Sequence, residues 1–258
     1  MIFPDMRWFL YNSRQTIPEF KYQQKFQMKL IRILNKLVFI GAVVLATEAF
    51  SENYEFSTLP PAVWVGSSLD GIPCHGGINP YYGPYDYSNP YHFEHKLEVV
   101  EIFHFTAKVE TLAGAEASVT PAGDIDYTLL SFPNHHRALY ALMRMKMIGH
   151  EDWIAGAKMP APECYFQRAM QFVPDDHVVP LIFGVYLQQF GHSEKAIKYF
   201  KRSHQLNSSD PEPAYNIGLY YFSKKDYKKS LEYAKKAYAL DYPLPKLKNK
   251  LAKLGYWK

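Results

Sequence analysis

The sequence predicts an all-α chain: a solenoid of stacked helix–turn–helix pairs with an irregular, Pro- and Tyr-rich region packed against it. Three observations predict it. Residues 177–244 divide without a gap into two blocks of 34 residues, His177 to Asp210 and Pro211 to Leu244. Small and bulky residues then recur in register between the blocks. Gly184 and Gly218 share the eighth place, Leu187 and Tyr221 the eleventh, Ala196 and Ser230 the twentieth, Phe200 and Ala234 the twenty-fourth, and Ser203 and Ala237 the twenty-seventh. These are the positions where two antiparallel helices touch. Finally, PKLKNKLAKLGYWK sets Leu247, Leu251 and Leu254 among lysines at helical spacing, the polar-faced cap that the end of a helical stack needs.

The run YNIGLYYFSKKDYKKSLEYAKKAYALD, within blocks of this length, resembles the tetratricopeptide repeat family. The resemblance implies a right-handed α-solenoid, a protein-binding role and no chemistry. Block one departs from the pattern at its end, where Ser208 stands in place of the usual proline. Each such repeat carries an apolar stripe that it cannot bury alone, so about three are needed for stability. More of the array is therefore expected upstream.

Pro133 occupies the place of a repeat-ending proline, and HHRALYALMRMKMI reads as a first repeat helix. PECYFQRAMQFVPDD reads as its partner, with Phe166, Ala169 and Pro174 at the matching places. The unit 136–176 is then an enlarged repeat, its excess being the loop GHEDWIAGAKMPA. Before it, Asp124 stands where a helix N-cap belongs, and Asp126 follows in the first turn, where its charge complements the helix dipole. Residues 124–133 are expected to form a preceding half repeat. The full division is 1–27, 28–50, 51–123, 124–244 and a capping helix at 245–258.

Residues 51–123 lack both helical and strand periodicity apart from a short helix expected near 95–112, and six prolines between Pro60 and Pro90 interrupt them. YYGPYDYSNPYHF is aromatic and nearly uncharged. It is either a stacking platform for a sugar or proline-rich ligand, or an extended segment covering its own solenoid. GPYDYSNP, HFT, GDIDYTLLSFPNHHRAL and ECYFQRAM, in this order, are similar to exported bacterial repeat proteins without an assigned activity.

From Met28, a basic start (Lys29, Arg32, Lys36), an apolar core from Leu37 to Ala46 and small residues at Thr47 and Ala49 have the order of a secretory signal peptide. The uncharged run of about 10 residues falls short of the ~20 that span a bilayer. Periplasmic or secreted localisation is expected, with an uncleaved anchor as the alternative. Residues 1–27 are read as an extension outside the mature protein, and either Met1 or Met28 is the start.

The formal charge of +4 hides an asymmetry. Residues 51–191 carry seven basic and 16 acidic side chains, and residues 192–258 carry 15 and six. Lysines on helices are read as a solvated face, so nucleic acid is not an expected partner. Ten histidines make Cys74, His75, His92, His95, His135 and His136 candidate metal ligands, yet no H-E-x-x-H or paired C-x-x-C supports them. No cofactor is expected, and no nucleophile elbow or phosphate-cradling glycine loop points to catalysis. Cys74 and Cys164, the two cysteines present, either pair across about 90 residues or leave Cys164 as a small buried apolar group.

By the family resemblance, the first helix of each repeat lines a concave face. That places Leu181, Val185, Gln188 and Gln189 from one block, and Tyr215, Asn216, Leu219 and Phe222 from the next, toward a partner. Leu181 and Tyr215 stand where carboxylate-gripping lysines would be, so an extended apolar peptide, or the chain's own aromatic segment, is the expected occupant. The expected function is protein–protein contact in a bacterial envelope without catalysis. The alternative is metal or carbohydrate binding by residues 74–104.

Overall fold

The computed structural model describes residues 62–79 and 82–258. The extension at 1–27, the leader at 28–50 and Tyr81 lie outside them. Twelve α-helices run in order among the described residues: α1 (Pro90–His95), α2 (Leu97–His104), α3 (Ala107–Glu110), α4 (Pro121–Ser131), α5 (His136–Met147), α6 (Glu151–Gly156), α7 (Pro162–Phe172), α8 (Val178–Gln189), α9 (Ser193–Leu206), α10 (Pro211–Ser223), α11 (Tyr227–Ala239) and α12 (Lys246–Lys253). The described β structure is an isolated bridge between Ser67 and Pro73. No described helix is long and apolar enough to cross a membrane.

The two 34-residue blocks are the hairpins α8/α9 and α10/α11, each packed along its length, with α9 also against α10. Register follows from the small residues. A Cβ on Gly184 would meet Phe200 Cε1 at 2.5 Å, so the eighth place must be bare where the twenty-fourth is aromatic. In the second hairpin the twenty-fourth place is Ala234, and Gly218 instead admits Leu247 of α12, whose Cδ2 would lie 2.8 Å from an added Cβ. Leu247 and Leu251 are fully buried, whereas Leu254 is 47% exposed and takes no part in the cap's inner face.

Upstream, α5 and α7, the two helices expected within 136–176, pack on each other and both on α8. The excess is not a bare loop. It contains α6, which packs on α4. The half repeat also starts earlier than the sequence suggests: Thr120 is the N-cap of α4 and Pro121 its first residue. Asp124 lies one turn in, fully buried. Its carboxylate accepts the backbone N–H groups of Glu116 (2.8 Å), Ala117 (3.2 Å) and Ser118 (3.4 Å), and lies 3.1 Å from His104 Nδ1. It therefore folds the preceding loop onto the helix start instead of capping it. Asp126 accepts the Tyr165 hydroxyl of α7, and burial raises its pKa against that bond and the nearby Arg168 charge.

The region before α4 is not one short helix but α1, α2 and α3, with α2 and α3 on α4. The extended chain before them lies on α7 and α4. Arg168 of α7 fixes it, donating from Nε to the Ala62 carbonyl at 2.8 Å and from Nη1 to the Leu129 carbonyl at 2.7 Å. Burial lowers the Arg168 pKa to about 10 against the opposing pull of Tyr165 and Asp126. Cys74 and Cys164 are joined in a disulfide, Cα atoms 5.5 Å apart, which pins the segment to α7.

Candidate peptide-binding site

The eight residues expected on the concave face divide into two groups. Leu181, Val185, Tyr215 and Asn216 are buried, while Gln188, Gln189, Leu219 and Phe222 are half-buried. Burial of the first group has specific causes. Leu181 and Val185 sit within α8, which is covered by α5 and α7 as well as by α9. The Tyr215 ring stacks on Tyr242, centroids 4.0 Å apart, and meets the edge of Tyr238 at 6.4 Å. Asn216 donates from Nδ2 to the Glu212 carbonyl one turn back at 3.0 Å. Those four residues therefore hold the stack together and do not line an open groove.

Phe222 packs edge-on to Tyr227 with centroids 5.4 Å apart, and Lys250 lies 5.1 Å over its ring. Lys224 pairs with Glu194 of the previous hairpin at 2.5 Å, and the Tyr220 hydroxyl donates to the same carboxylate at 2.6 Å. Solvent thus reaches a strip of two amides, one leucine and one phenylalanine on α8 and α10. Its side chains can donate, accept and cover apolar surface, which suits the backbone and side chains of an extended peptide.

The interior at the start of α10 holds an unusual polar group. Glu212 is buried in the first turn of α10, with Oε1 3.4 Å from the Tyr242 hydroxyl and 3.5 Å from Asn216 Nδ2. Its Oε2, like Asn216 Oδ1 and Gln188 Oε1, is buried without a hydrogen-bond partner. Burial foremost, and then the charge of Asp210, raises the Glu212 pKa to about 8, so it is mostly protonated at neutral pH. Sequence reasoning missed Glu212, whose enclosure depends on Tyr242, 30 residues away.

Of the candidate metal ligands, His75 and His95 are exposed and the other four are occupied otherwise. Cys74 is in the disulfide. His92 Nδ1 accepts the Asp86 N–H at 3.1 Å, and burial lowers its pKa. His135 is the N-cap of α5: Nδ1 accepts the Ala138 N–H at 3.1 Å, and Nε2 donates to Glu101 at 3.2 Å. His136 Nε2 lies 2.7 Å from Asp176. Burial would raise the Asp176 pKa, but the facing His136 and the bonds from His136, Asn134 and the Val178 N–H bring it below the ordinary carboxylate value. Among the described residues no three His, Cys, Asp or Glu side chains are grouped to hold a metal ion.

The tyrosine segment is likewise turned inward. Tyr87 is buried with Leu97, Val100 and Phe132, and Tyr82, Tyr85 and Phe93 pack around them. Asn134 was missed by sequence reasoning and is the hub here. Its Oδ1 accepts the Tyr87 N–H at 2.9 Å, and its Nδ2 donates to Asp86 at 2.8 Å and Asp176 at 2.9 Å. The segment is thereby fastened to the start of α5 and to the turn before α8.

No curated protein matches the chain. Among solved structures, one titled "Crystal structure of MamA" is similar at 16% identity, covering 58% of this chain and 82% of that one, with a TM-score of 0.41. The family model for the tetratricopeptide repeat matches residues 211–242, the hairpin α10/α11. Hairpin α8/α9 packs against that hairpin and repeats its spacing, and α5 and α7 extend the stack, so residues 211–242 form a tetratricopeptide repeat set within a longer helical stack.

Proposed function

We propose that this chain is a non-catalytic scaffold of a bacterial envelope, holding another protein through an extended segment laid along α8 and α10. The observation that carries the reading is that Gln188 and Gln189 of α8 and Leu219 and Phe222 of α10, in the first helices of two consecutive hairpins, all stay half-buried. Repeats of this family commonly serve protein–protein contact, and among the described residues no three His, Cys, Asp or Glu side chains are grouped to hold a metal ion. The disulfide between Cys74 and Cys164 supports an oxidising compartment, in keeping with the leader expected at 28–50. The partner is read as a polypeptide and not nucleic acid, because the lysines of α11 and α12 sit on the solvated faces of helices whose other faces pack on the stack.

Crosslinking in intact cells, followed by affinity capture and mass spectrometry, tests this. Leu219→Ala with Phe222→Ala is expected to lose the captured polypeptide while leaving the melting curve of the chain intact. Undiminished capture by that variant would overturn the strip as the binding site. Recovery of the chain from the cytoplasm with both thiols open to alkylation would overturn the envelope assignment.

A further inference from the structure

The helical stack has two ends, and they differ in kind. At the first, α2 packs on α1 and α4 through Leu97 and Val100. Its other side presents Val99, Ile102 and Phe103 at 45%, 55% and 59% exposure, at the i, i+3 and i+4 spacing of one helix face. Glu98 of the same helix and Glu94 of α1 are exposed too. At the last, α12 packs on α10 and α11 through Leu247 and Leu251 and leaves Leu254 and Tyr256 exposed. Lys246, Lys248 and Lys253 of the same helix are exposed.

Solenoids solvate their terminal units with polar outer faces. Here each end instead exposes an apolar patch, and the exposed charges nearest it along the chain are mostly acidic at the first, Glu94 and Glu98 against Lys108, and basic at the last. Two copies meeting through like ends would set acid against acid or base against base, and like charges brought together oppose such a contact. Unlike ends are complementary in both terms. We infer that copies of this chain associate head to tail, the α2 face of one receiving the Leu254–Tyr256 end of α12 of the next. Such a contact is heterologous, so it leaves one unused end of each kind and supports extension beyond a dimer.

Sedimentation of the full chain over a range of concentrations tests the inference. The wild type is expected to grow from monomer through dimer to longer species, and less so at high salt, because the ends are charged. Phe103→Glu and Leu254→Glu should each hold the chain monomeric. Mixed in equal amounts they should form dimers and stop there, since the one compatible pair of ends is then used. Both sites are exposed, and circular dichroism checks that each variant folds. Ile102→Gln and Tyr256→Gln replace any that does not. A wild type that stays monomeric, a Leu254→Glu chain that still dimerises alone, or a mixture that stays monomeric would each overturn the inference.

Discussion

The Arg168 guanidinium lies 4.9 Å from the ring centroid of Trp64, across more than a hundred residues of chain, and the same side chain donates to the carbonyls of Ala62 and Leu129. One cation thus satisfies two buried carbonyls and an aromatic face. Replacing it with Met keeps the volume and leaves both carbonyls unpaired. Arg168→Met is expected to destabilise the chain by about 3 kcal/mol or more, read from the urea midpoint. A loss below about 1 kcal/mol would show that water replaces the guanidinium at little cost.

The disulfide encloses a loop with a sequence separation of 90 residues. In the chain-entropy picture, a loop of that size restricts the unfolded chain by about 4–5 kcal/mol. Cys74→Ser with Cys164→Ser should lower the unfolding free energy by about that amount, and reduction of the wild type should do likewise. Equal midpoints for oxidised and reduced protein would exclude a stabilising bridge.

Glu212 gives a dependence on pH whose sign follows from its burial. Its folded pKa is about 8, against 4.5 for the ordinary side chain. The folded state therefore holds a proton that the unfolded state has released. Its contribution to stability is fully present below about pH 4.5 and is lost as the pH rises to about 8. Glu212→Gln should flatten the fall between pH 5 and 8 and make the variant the more stable of the two at pH 8. Parallel urea midpoints for both proteins across that range would refute the assignment.

Gly184 and Gly218 share a place in the repeat but not a neighbour. An added methyl at Gly184 meets the buried Phe200 ring, whose Cε1 and Cδ1 would lie 2.5 and 2.6 Å away. At Gly218 the nearest atom is the end of a leucine, 2.8 Å away. Gly184→Ala is expected to cost about 1–3 kcal/mol and Gly218→Ala less, because a leucine tip rotates where an enclosed ring cannot. Thermal melts of the two variants give the order, and a reversed order would contradict this packing.

What could be read in the sequence were contacts close along the chain. The Gly184–Phe200 pairing lies inside one hairpin, and Leu247 and Leu251 show their periodicity within eight residues. Helices α5 and α7 were readable because Pro133 and Pro174 mark the limits of their segment. Helix α6 was not, since six residues bounded by glycine carry too little pattern to separate a helix from a loop. The concave face was overestimated for a related reason. Tyr215 looks available in its own helix, and Tyr242 closes over it from beyond the next one. Asn134 gave no local signal at all, because its partners Asp86 and Asp176 lie 48 and 42 residues away. A polar hub of that kind becomes visible only when the segments it ties are in place.

The covalent tie between Cys74 and Cys164 also sets the route of mechanical load. A pull applied between the chain before Cys74 and its C-terminal end crosses from the extended segment into α7 through the sulfur atoms. Residues 75–163, with α1 to α6, then lie on a slack branch and feel no tension, while α8 to α12 bear it in series. If the chain is tethered at its front and gripped by a partner at α8 and α10, force reaches the gripping helices without first unravelling the aromatic segment. Opening the bridge would transfer that tension to the slack branch.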